Sequence, residues 1–556
     1  MIVKMLHLDL VCVAAEKEAT LAALREMKAV HLDLNSAAGS LVSEAKGEAA
    51  AAESALRSVL RARKGREDEA LGARARTVAE ILALQGDIDT LNSEKERLER
   101  QIKIYSPYGD FDPALAAKLL AKGIDIGDML PAELPKMRLS KMREKLSRVE
   151  NRIRIDESKL AGTDEKAILS QYPVLADKVA FAAAKELMEE RGAIAVISGW
   201  IPVTAVDALK SASSSKGWGL LIREKLETET PPTLVEPPKL FRPVKALFDG
   251  LGIAPGYTEA DVSVPFMCYF SLFFAMLVGD GAYGAIFLAA TLAMKMKKKL
   301  PESWFKLLAV FSLATIAWGV LSNTWFGAGI PACAGWPTVK WLGDVTYRNI
   351  MLVCFTIGAS HLMLARIWNG VCRLPDSTAI AEFGWAGVLL FMYFVTNSLV
   401  GIFPSIPPSM TWVFGVSLVC VFLFSVKPKD LKKNGIALGM LPLNIMSSLG
   451  DVISYVRLFA VGLASVKVAE NFNSMALGLV SGDKPLWLNA LMSVGTVLIL
   501  VAGHALNLAM AALSILVHAV RLNTLEFSNH KGVSWSGYAF RPFRRTTTKP
   551  PNHPTT

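Results

Sequence analysis

The pattern of hydrophobic and polar positions divides the chain near residue 260. Before that point, apolar residues alternate with polar ones or recur every three or four positions among charged residues. From residue 264 to residue 525, long apolar runs follow one another, several of them close to the roughly 20 residues that a membrane-spanning helix needs. The pattern therefore predicts a mainly α-helical protein, with a charged N-terminal domain followed by a polytopic membrane domain.

Residues 1–40 and 192–227 predict one small α/β lobe at the base of the N-terminal domain, residues 1–230. Alternating and β-branched residues indicate the strands, and a three- to four-residue apolar period indicates the helices. The predicted elements are a strand at 5–13, a helix at 16–27, strands at 30–34, 192–202 and 220–227, and a helix at 206–211.

Two charged segments, 41–104 and 136–190, predict an antiparallel coiled-coil arm. The first segment is predicted to be one long helix with a heptad seam, in which Lys95 occupies the one position that lacks an apolar residue. Asp156 occupies the corresponding position in the seam of the second segment. Residues 105–135, which contain PYGDFDP and a short helix at 113–122, form a small distal lobe. The alternative is that both segments are surface helices of an ordinary bundle. The seams comprise Ile81, Leu84, Ile88, Leu91, Leu98 and Ile102, and Leu139, Met142, Leu146, Val149, Ile153 and Leu160.

A linker, residues 231–261, leads into the membrane domain, residues 262–527. We read 262–297 as a helical hairpin that turns at GDGAYG, and a single kinked helix is the alternative. The last two apolar runs exceed one vertical span and should tilt. Eight helices result, the other six at 303–326, 349–372, 380–403, 410–426, 436–480 and 486–526.

Basic residues cluster after alternate apolar segments, and this arrangement sets the expected orientation. The positive-inside rule places these loops, both termini and a tail at 528–556 in the cytoplasm. The N-terminus lacks the features of a signal peptide. Basic loops also explain the net charge of +10, so no nucleic acid partner is expected. The basic residues are Lys295, Lys297, Lys298, Lys299, Arg373, Lys427, Lys429, Lys432, Lys433, Arg541, Arg544 and Arg545.

The residue types exclude several kinds of chemistry. The six cysteines are scattered without a CxxC pair or metal-ligand spacing, so neither a metal site nor a disulfide framework is predicted. No nucleophile–base set and no phosphate-binding glycine loop occurs in the chain. We therefore expect no cofactor, no catalytic residue and no ATP site.

The segment SLGDVISYVRLFAVGLA, residues 448–464, carries Arg457 within an apolar run. A charge at membrane depth is costly and usually has a function. Structural alternatives are that Arg457 reaches a lipid headgroup or pairs with Asp451. Further polar residues of the same apolar run are candidate lining residues of an ion path: Asp451, Ser454, Ser465 and Glu470, of which Glu470 can also pair with Lys467 at helical spacing.

The last apolar run carries a second set of polar residues. Arg521 lies near the predicted cytoplasmic end of this run. Its side chain could therefore simply reach the lipid headgroups there, which is the alternative to a role in ion transport. The set, which is predicted to lie on one helical stripe apart from Glu526, comprises His504, Asn507, Ser514, His518, Arg521 and Glu526.

Arg457 has no obvious acidic partner at its own depth, which suggests a carboxylate in another subunit. Arginine stays protonated at any working pH and can hold a passing carboxylate in its ionised form. A carboxylate that faces lipid must be neutral. This is the logic of a fixed arginine beside a rotating ring.

Several motifs resemble the membrane stator subunit of V/A-type rotary ATPases, called subunit a or subunit I, and they extend over almost the whole chain. The resemblance implies that Arg457 and Arg521 face the carboxylate of a rotor ring (c/K subunit) and that the other polar residues line H⁺ or Na⁺ half-channels. It also implies peripheral stalk subunits (E/G type), a ring-capping central-stalk subunit and the lipid bilayer as partners. The motifs are MIVKMLHLDLV, PYGDFDP, ISGWIP, GDGAYG, GDVISYVRLFAVGLA, VHAVRLNTLEF and YAFRPF.

Departures from the family pattern indicate a bacterial or archaeal branch and hence a prokaryotic cell membrane. Ser465 replaces a histidine and Ala511 a glutamate of the eukaryotic pattern, and the distal lobe is short. An alternative function is a secondary ion transporter with a coiled-coil regulatory domain, which would require a mid-membrane acidic or substrate site and usually internal repeats. A third possible function is that of a membrane sensor with a signalling coiled coil.

Overall fold

A computed structural model describes residues 1–63, 75–122, 131, 133–328, 347–425, 439–480 and 486–545. Helices predominate in it and one small antiparallel sheet is present, which confirms a mainly α fold with an α/β component. Two compact units emerge: residues 5–227 with the segment from Arg541, and residues 1–4 with 228–540. Parts of the predicted distal lobe, of the loop at 327–346 and of the tail lie outside the described residues, as do the whole loop at 481–485 and the basic loop with Lys427 to Lys433.

The sheet of the first unit has four strands in the order β2-β3-β1-β4, all antiparallel. Alternate residues of β1, such as Leu8 and Leu10, are buried against Leu21 and Leu24 of helix α1. The strands and adjoining helices are β1 (Met5–Val13), β2 (Glu189–Arg191), β3 (Ile194–Pro202), β4 (Gly219–Arg223), α1 (Lys17–Met27) and α7 (Val206–Lys216).

The predicted strand at residues 30–34 is wrong. A single bridge joins His31 to Trp200, and a 3₁₀ turn follows directly at Leu34–Ser36. The other hydrogen-bonding groups here are occupied by the C-terminal segment: Phe543 N donates to Val30 O at 2.7 Å, and Arg541 N donates to His31 Nδ1 at 3.0 Å. Contacts from over 500 residues away therefore replace the expected strand pairing.

The expected single helix over 41–104 is also wrong, because α2 ends at Arg63 and α3 begins after Thr77. A capping box starts α3: Glu80 N donates to Thr77 Oγ1 at 3.3 Å, and Thr77 N donates to Glu80 Oε2 at 3.2 Å. The helices of this region are α2 (Ser40–Arg63), α3 (Val78–Tyr105), α4 (Pro113–Ala121), α5 (Leu139–Ala161) and α6 (Glu165–Leu187).

The α3 and α5 helices pack in antiparallel fashion through the residues of the predicted seams. Leu98 contacts Val149 and Ile153, and Lys95 pairs with Glu150 at 3.1 Å. Asp156 is buried, and burial acts to raise its pKa. Ion pairs with Lys159 and Arg152, at 2.6 and 3.0 Å, outweigh that effect and lower the pKa. The two polar residues in the seams thus have charged partners.

Among the described residues, five helical segments of the second unit are long and apolar enough to cross a membrane, which supports a polytopic membrane protein. A bent pair would add a sixth span, and the predicted number of eight stays a prediction. The helices are α8 (Val244–Leu251), α9 (Ser263–Val278), α10 (Gly281–Met296), α11 (Glu302–Ser322), α12 (Arg348–Arg373), α13 (Thr378–Leu399), α14 (Pro408–Phe424), α15 (Leu441–Ile453), α16 (Val456–Val480), α17 (Leu486–Ser514) and α18 (Ser528–Lys531).

The GDGAYG motif divides residues 262–297 into α9 and α10, which are bent by 117°. Gly279 has φ +70°, a conformation that glycine adopts without strain. The carboxylate of Asp280 accepts from Ala282 N at the start of α10 and from Gly327 N, both at 2.8 Å. These residues therefore form two helices joined by a sharp bend, and their crossing of the membrane as a hairpin stays a prediction.

The described part of the predicted tail does not extend freely from the second unit. Val533 packs with Val262, Ala365 and Phe527, and Phe540 N donates to Thr233 O at 3.0 Å. The linker likewise contains α8, a helix that was not predicted, whose apolar face is buried.

Candidate functional site

Arg457 lies directly after a break between α15 and α16. At this break Arg457 N donates to Ser454 O, three residues back, at 3.2 Å, whereas an N–H group in an α-helix donates four residues back. Tyr455 is fully buried and its hydroxyl lies 2.9 Å from His361 Nδ1. A Cβ atom on Gly358 would overlap the Tyr455 ring, so α12 approaches the break closely. Packing on Tyr455 therefore fixes the position from which Arg457 projects.

Arg521 lies between two π-helical turns, Ile515–Ala519 and Leu522–Phe527, which follow α17. Val520 N donates to Ile515 O, five residues back. Such turns insert one extra residue per turn and rotate the following side chains, and they are frequent at functional sites. The turns rotate the residues after Ser514 relative to a regular α-helix. The sequence spacing alone therefore could not predict on which side of the helix Glu526 lies.

Arg457 and Arg521 share one acidic partner, Glu526. Its Oε1 atom lies 3.1 Å from Arg457 Nη1 and 3.5 Å from Arg521 Nε. The expectation that Arg457 has no acidic partner at its own depth is therefore wrong, and so is the alternative pairing with Asp451. The structural reason is the helical phase of the last segment, which turns Glu526 toward α16.

The exposure of this cluster is uneven. The Glu526 side chain is 6% exposed, whereas Arg457 is 29% and Arg521 52% exposed. The second carboxylate oxygen of Glu526, Oε2, is buried and has no partner among the described residues. The side chains of Arg457 and Arg521 thus remain partly accessible from outside the chain, and the three residues together carry one net positive charge. His518 lies within electrostatic reach of both arginines, and Ser514 ends α17 directly before the first π turn.

A second polar cluster joins three predicted residues to two that were missed. Ser465 and Asn507 are buried and bonded at 3.0 Å, and His504 lies near them on α17. Tyr283 of α10 connects them: its hydroxyl is 3.1 Å from Asn507 Nδ2 and 2.8 Å from His504 Nδ1. Asn473 is 3.2 Å from His504 Nε2.

The hydrogen bonds of this second cluster have one consistent direction. Asn473 Nδ2 donates to Phe326 O, so its Oδ1 accepts from His504 Nε2–H. His504 Nδ1 then accepts from the Tyr283 hydroxyl, which in turn accepts from Asn507. The cluster is neutral as bonded. Glu470 lies apart from it and pairs with Lys467 at 2.6 Å, as their spacing predicted.

A third cluster surrounds His530, which was not predicted. Its Nε2 atom is 3.0 Å from Asp451 Oδ2, and its Nδ1 accepts from Arg366 Nε at 3.0 Å. Arg366 also pairs with Glu382 at 3.1 Å, and Arg373 binds the other oxygen of Glu382 at 2.9 Å. Arg366 lies within an apolar run, which is the signal that could have revealed it. Ser454 donates to the backbone of Asp451 at 2.6 Å.

These observations define a polytopic helical membrane protein with charged and polar clusters buried between its helices. Within the described ranges no three His, Cys, Asp or Glu side chains are placed to hold a metal ion.

Comparison with known proteins finds several similar chains. No family model matches the chain. V-type ATP synthase subunit I of Borreliella burgdorferi is 32% identical over 63% of this chain and 60% of its own length. V-type ATP synthase subunit I 1 of Treponema pallidum is 28% identical over 98% of this chain and its whole length. A-type ATP synthase subunit I of Methanocaldococcus jannaschii is 25% identical over 72% of this chain and 64% of its own length. The chain is therefore similar to subunit I of V-type and A-type ATP synthases, the proteins that its motifs resemble.

Proposed function

We propose that this protein is the membrane stator subunit of a V/A-type rotary ATPase, which passes H⁺ or Na⁺ through two half-channels beside a rotor ring. Ion flow would be coupled to ATP hydrolysis or synthesis on other subunits. The observation that carries the proposal is the convergence of Arg457 and Arg521, from two different helical segments, with both side chains partly exposed.

The physical argument concerns the carboxylate of the ring. An arginine remains charged, so a ring carboxylate that arrives beside Arg457 is stabilised in its ionised form and releases its ion. The same carboxylate must be neutralised by a new ion before it moves on into lipid. Rotation is then possible only together with ion transfer.

Polar clusters on either side of Arg457 support two separate half-channels. Ser465 lies eight residues after Arg457, about 12 Å along a helix, and Asp451 lies six residues before it. We assign the cluster of Tyr283 to one half-channel, together with Glu470. Asp451, Ser454 and His530 belong to the other, and Ser514 and His518 line the approach to the arginines. Arg457 separates the two paths and prevents a direct leak.

The remaining features of the proposal concern topology and assembly. Eight helices cross a prokaryotic membrane, with both termini and residues 1–230 in the cytoplasm. The antiparallel pair of α3 and α5 acts as the coiled-coil arm that binds peripheral stalk subunits, and a central-stalk subunit caps the adjacent ring. The boundaries of linker, membrane domain and tail are those predicted from the sequence.

The orientation can be tested with single cysteines at two exposed positions, Lys298 and Ser405, in a background without the native cysteines. Lys298 lies in a basic segment and Ser405 in a loop with few positive charges. We expect an impermeant thiol reagent to label the two positions from opposite sides of the membrane, because they flank an odd number of predicted crossings. Labelling of both from the same side would contradict the eight-helix topology.

Membership of a rotary complex can be tested by purification from native membranes in mild detergent. We expect a ring subunit with a membrane-embedded carboxylate and soluble ATPase subunits to purify with this chain. Dissociation in a harsher detergent provides the control for nonspecific capture. A chain that purifies alone and transports ions without ATP would instead favour a secondary transporter.

A further inference from the structure

Two buried glutamates of the second unit each lie between two arginines, but they bind them differently. Glu382 is 7% exposed and gives one oxygen to Arg366 and the other to Arg373. Glu526 is 6% exposed and presents the same oxygen to Arg457 and Arg521, while its second oxygen has no partner in the described part of the chain. The first arrangement satisfies the carboxylate fully, whereas the second does not.

Arg457 has hydrogen-bond donors that its contact with Glu526 does not use. A guanidinium has five N–H donors, and Arg457 uses one of them on Glu526, through Nη1. Since Arg457 and Arg521 are partly exposed, a second carboxylate can approach them while Glu526 stays in place. The three residues carry one net positive charge, which a single arriving carboxylate neutralises.

We propose that Glu526 is a positioning residue, the internal counter-ion that competes with the ring carboxylate for Arg457 and Arg521. This inference rests on the proposed stator function. When no ionised ring carboxylate is opposite, Glu526 holds both guanidiniums in place. When one arrives, Glu526 limits its attraction to the arginines, so that the ring carboxylate can leave them and take up the next ion.

The direct test is Glu526→Gln in the assembled complex, with ATP-driven transport measured in reconstituted vesicles. Two uncompensated positive charges would then hold the ring carboxylate, and transport should fall by about tenfold or more. Ion loading should also require a higher concentration: a lower pH on the ATP side for protons, or more NaCl for Na⁺. Raising that concentration should restore much of the rate, which a merely structural defect would not allow.

Two matched variants serve as controls. Glu526→Asp keeps the charge and should keep the wild-type dependence on ion concentration. Glu382→Gln removes an equally buried carboxyl from between two arginines, so it tests for a general effect of such a change. We expect it to reduce the yield of assembled complex, and any transport lost per assembled complex should not return at a higher ion concentration.

A double variant distinguishes charge balance from packing. Arg521→Gln combined with Glu526→Gln restores one net positive charge, so we expect it to transport faster than Glu526→Gln alone. If Glu526→Gln does not assemble, the double variant should still assemble and should transport faster than Arg521→Gln alone. Independent structural defects would instead make the double variant worse than either single one.

The outcomes that overturn the inference are wild-type transport in Glu526→Gln, or equal losses in Glu526→Gln and Glu382→Gln without recovery at high ion concentration. Failure of the double variant to exceed the single ones also overturns it. These results are distinguishable from failure of the stator function itself, because that function predicts that Arg457→Ala abolishes transport whatever Glu526 does.

Discussion

Arg457→Ala should abolish ATP-driven ion transport and leave the complex assembled. The passing ring carboxylate would lose its main counter-charge and would no longer release its ion at this point. Arg457→Lys should fail or nearly fail as well, because lysine presents a strongly hydrated point charge that can lose its proton when desolvated. Lysine also cannot bridge Glu526 and a second carboxylate with a planar fork of donors.

Other arginines of the second unit provide graded controls for this result. Arg521→Ala should reduce transport less than Arg457→Ala, since Arg521 is more exposed and lies farther from Glu526, at 3.5 Å. Arg373→Ala removes an arginine of similar exposure, 51%, that binds the other buried glutamate. Transport by that variant should stay near the wild-type rate per assembled complex.

Gly358→Leu should strongly destabilise the membrane unit and eliminate transport. The Tyr455 ring occupies the space that a side chain at this position would need, and Tyr455 is fully buried at the break before Arg457. Overpacking of this kind costs about 1–3 kcal/mol or more. The midpoint of thermal unfolding should fall and less folded complex should be recovered.

A glycine without neighbours is the matched control for that substitution. Gly415 of α14 is exposed and no atom lies within 4 Å of a Cβ built there. Gly415→Leu should therefore change neither the thermal midpoint nor transport. Equal thermal midpoints for the two leucine variants would contradict the close approach of α12 to the break.

The sequence predicted the broad architecture because its signals are local. Apolar runs of membrane-spanning length located the long helices, and strand alternation located β1 and β3. The start of α3 was missed although its signal is local: the capping box of Thr77 and Glu80 lies directly before the heptad seam, which begins at Ile81, within one charged segment that was read as a single helix. The strand at 30–34 failed for another reason, since its expected pairing is replaced by contacts with the C-terminal segment.

The candidate site was predictable in its residues and not in its pairings. A charge within an apolar run marks Arg457 without any knowledge of its neighbours, and helical spacing groups His504 with Asn507. The contact of Arg457 with Glu526 spans 69 residues and depends on two π-helical turns, which helical periodicity does not anticipate. His530 was missed because it follows the last apolar run, where a histidine is an unremarkable residue.

The measurement that tests the central claim most directly is the number of ions transported per ATP hydrolysed in vesicles that contain the Arg457→Ala complex. Assembly is checked on the same preparation by the presence of the ring and the soluble subunits. The proposed function predicts an assembled complex in which no ion transport accompanies ATP addition. Transport at a near wild-type ratio and rate by the assembled variant would contradict it and would make Arg457 a structural residue.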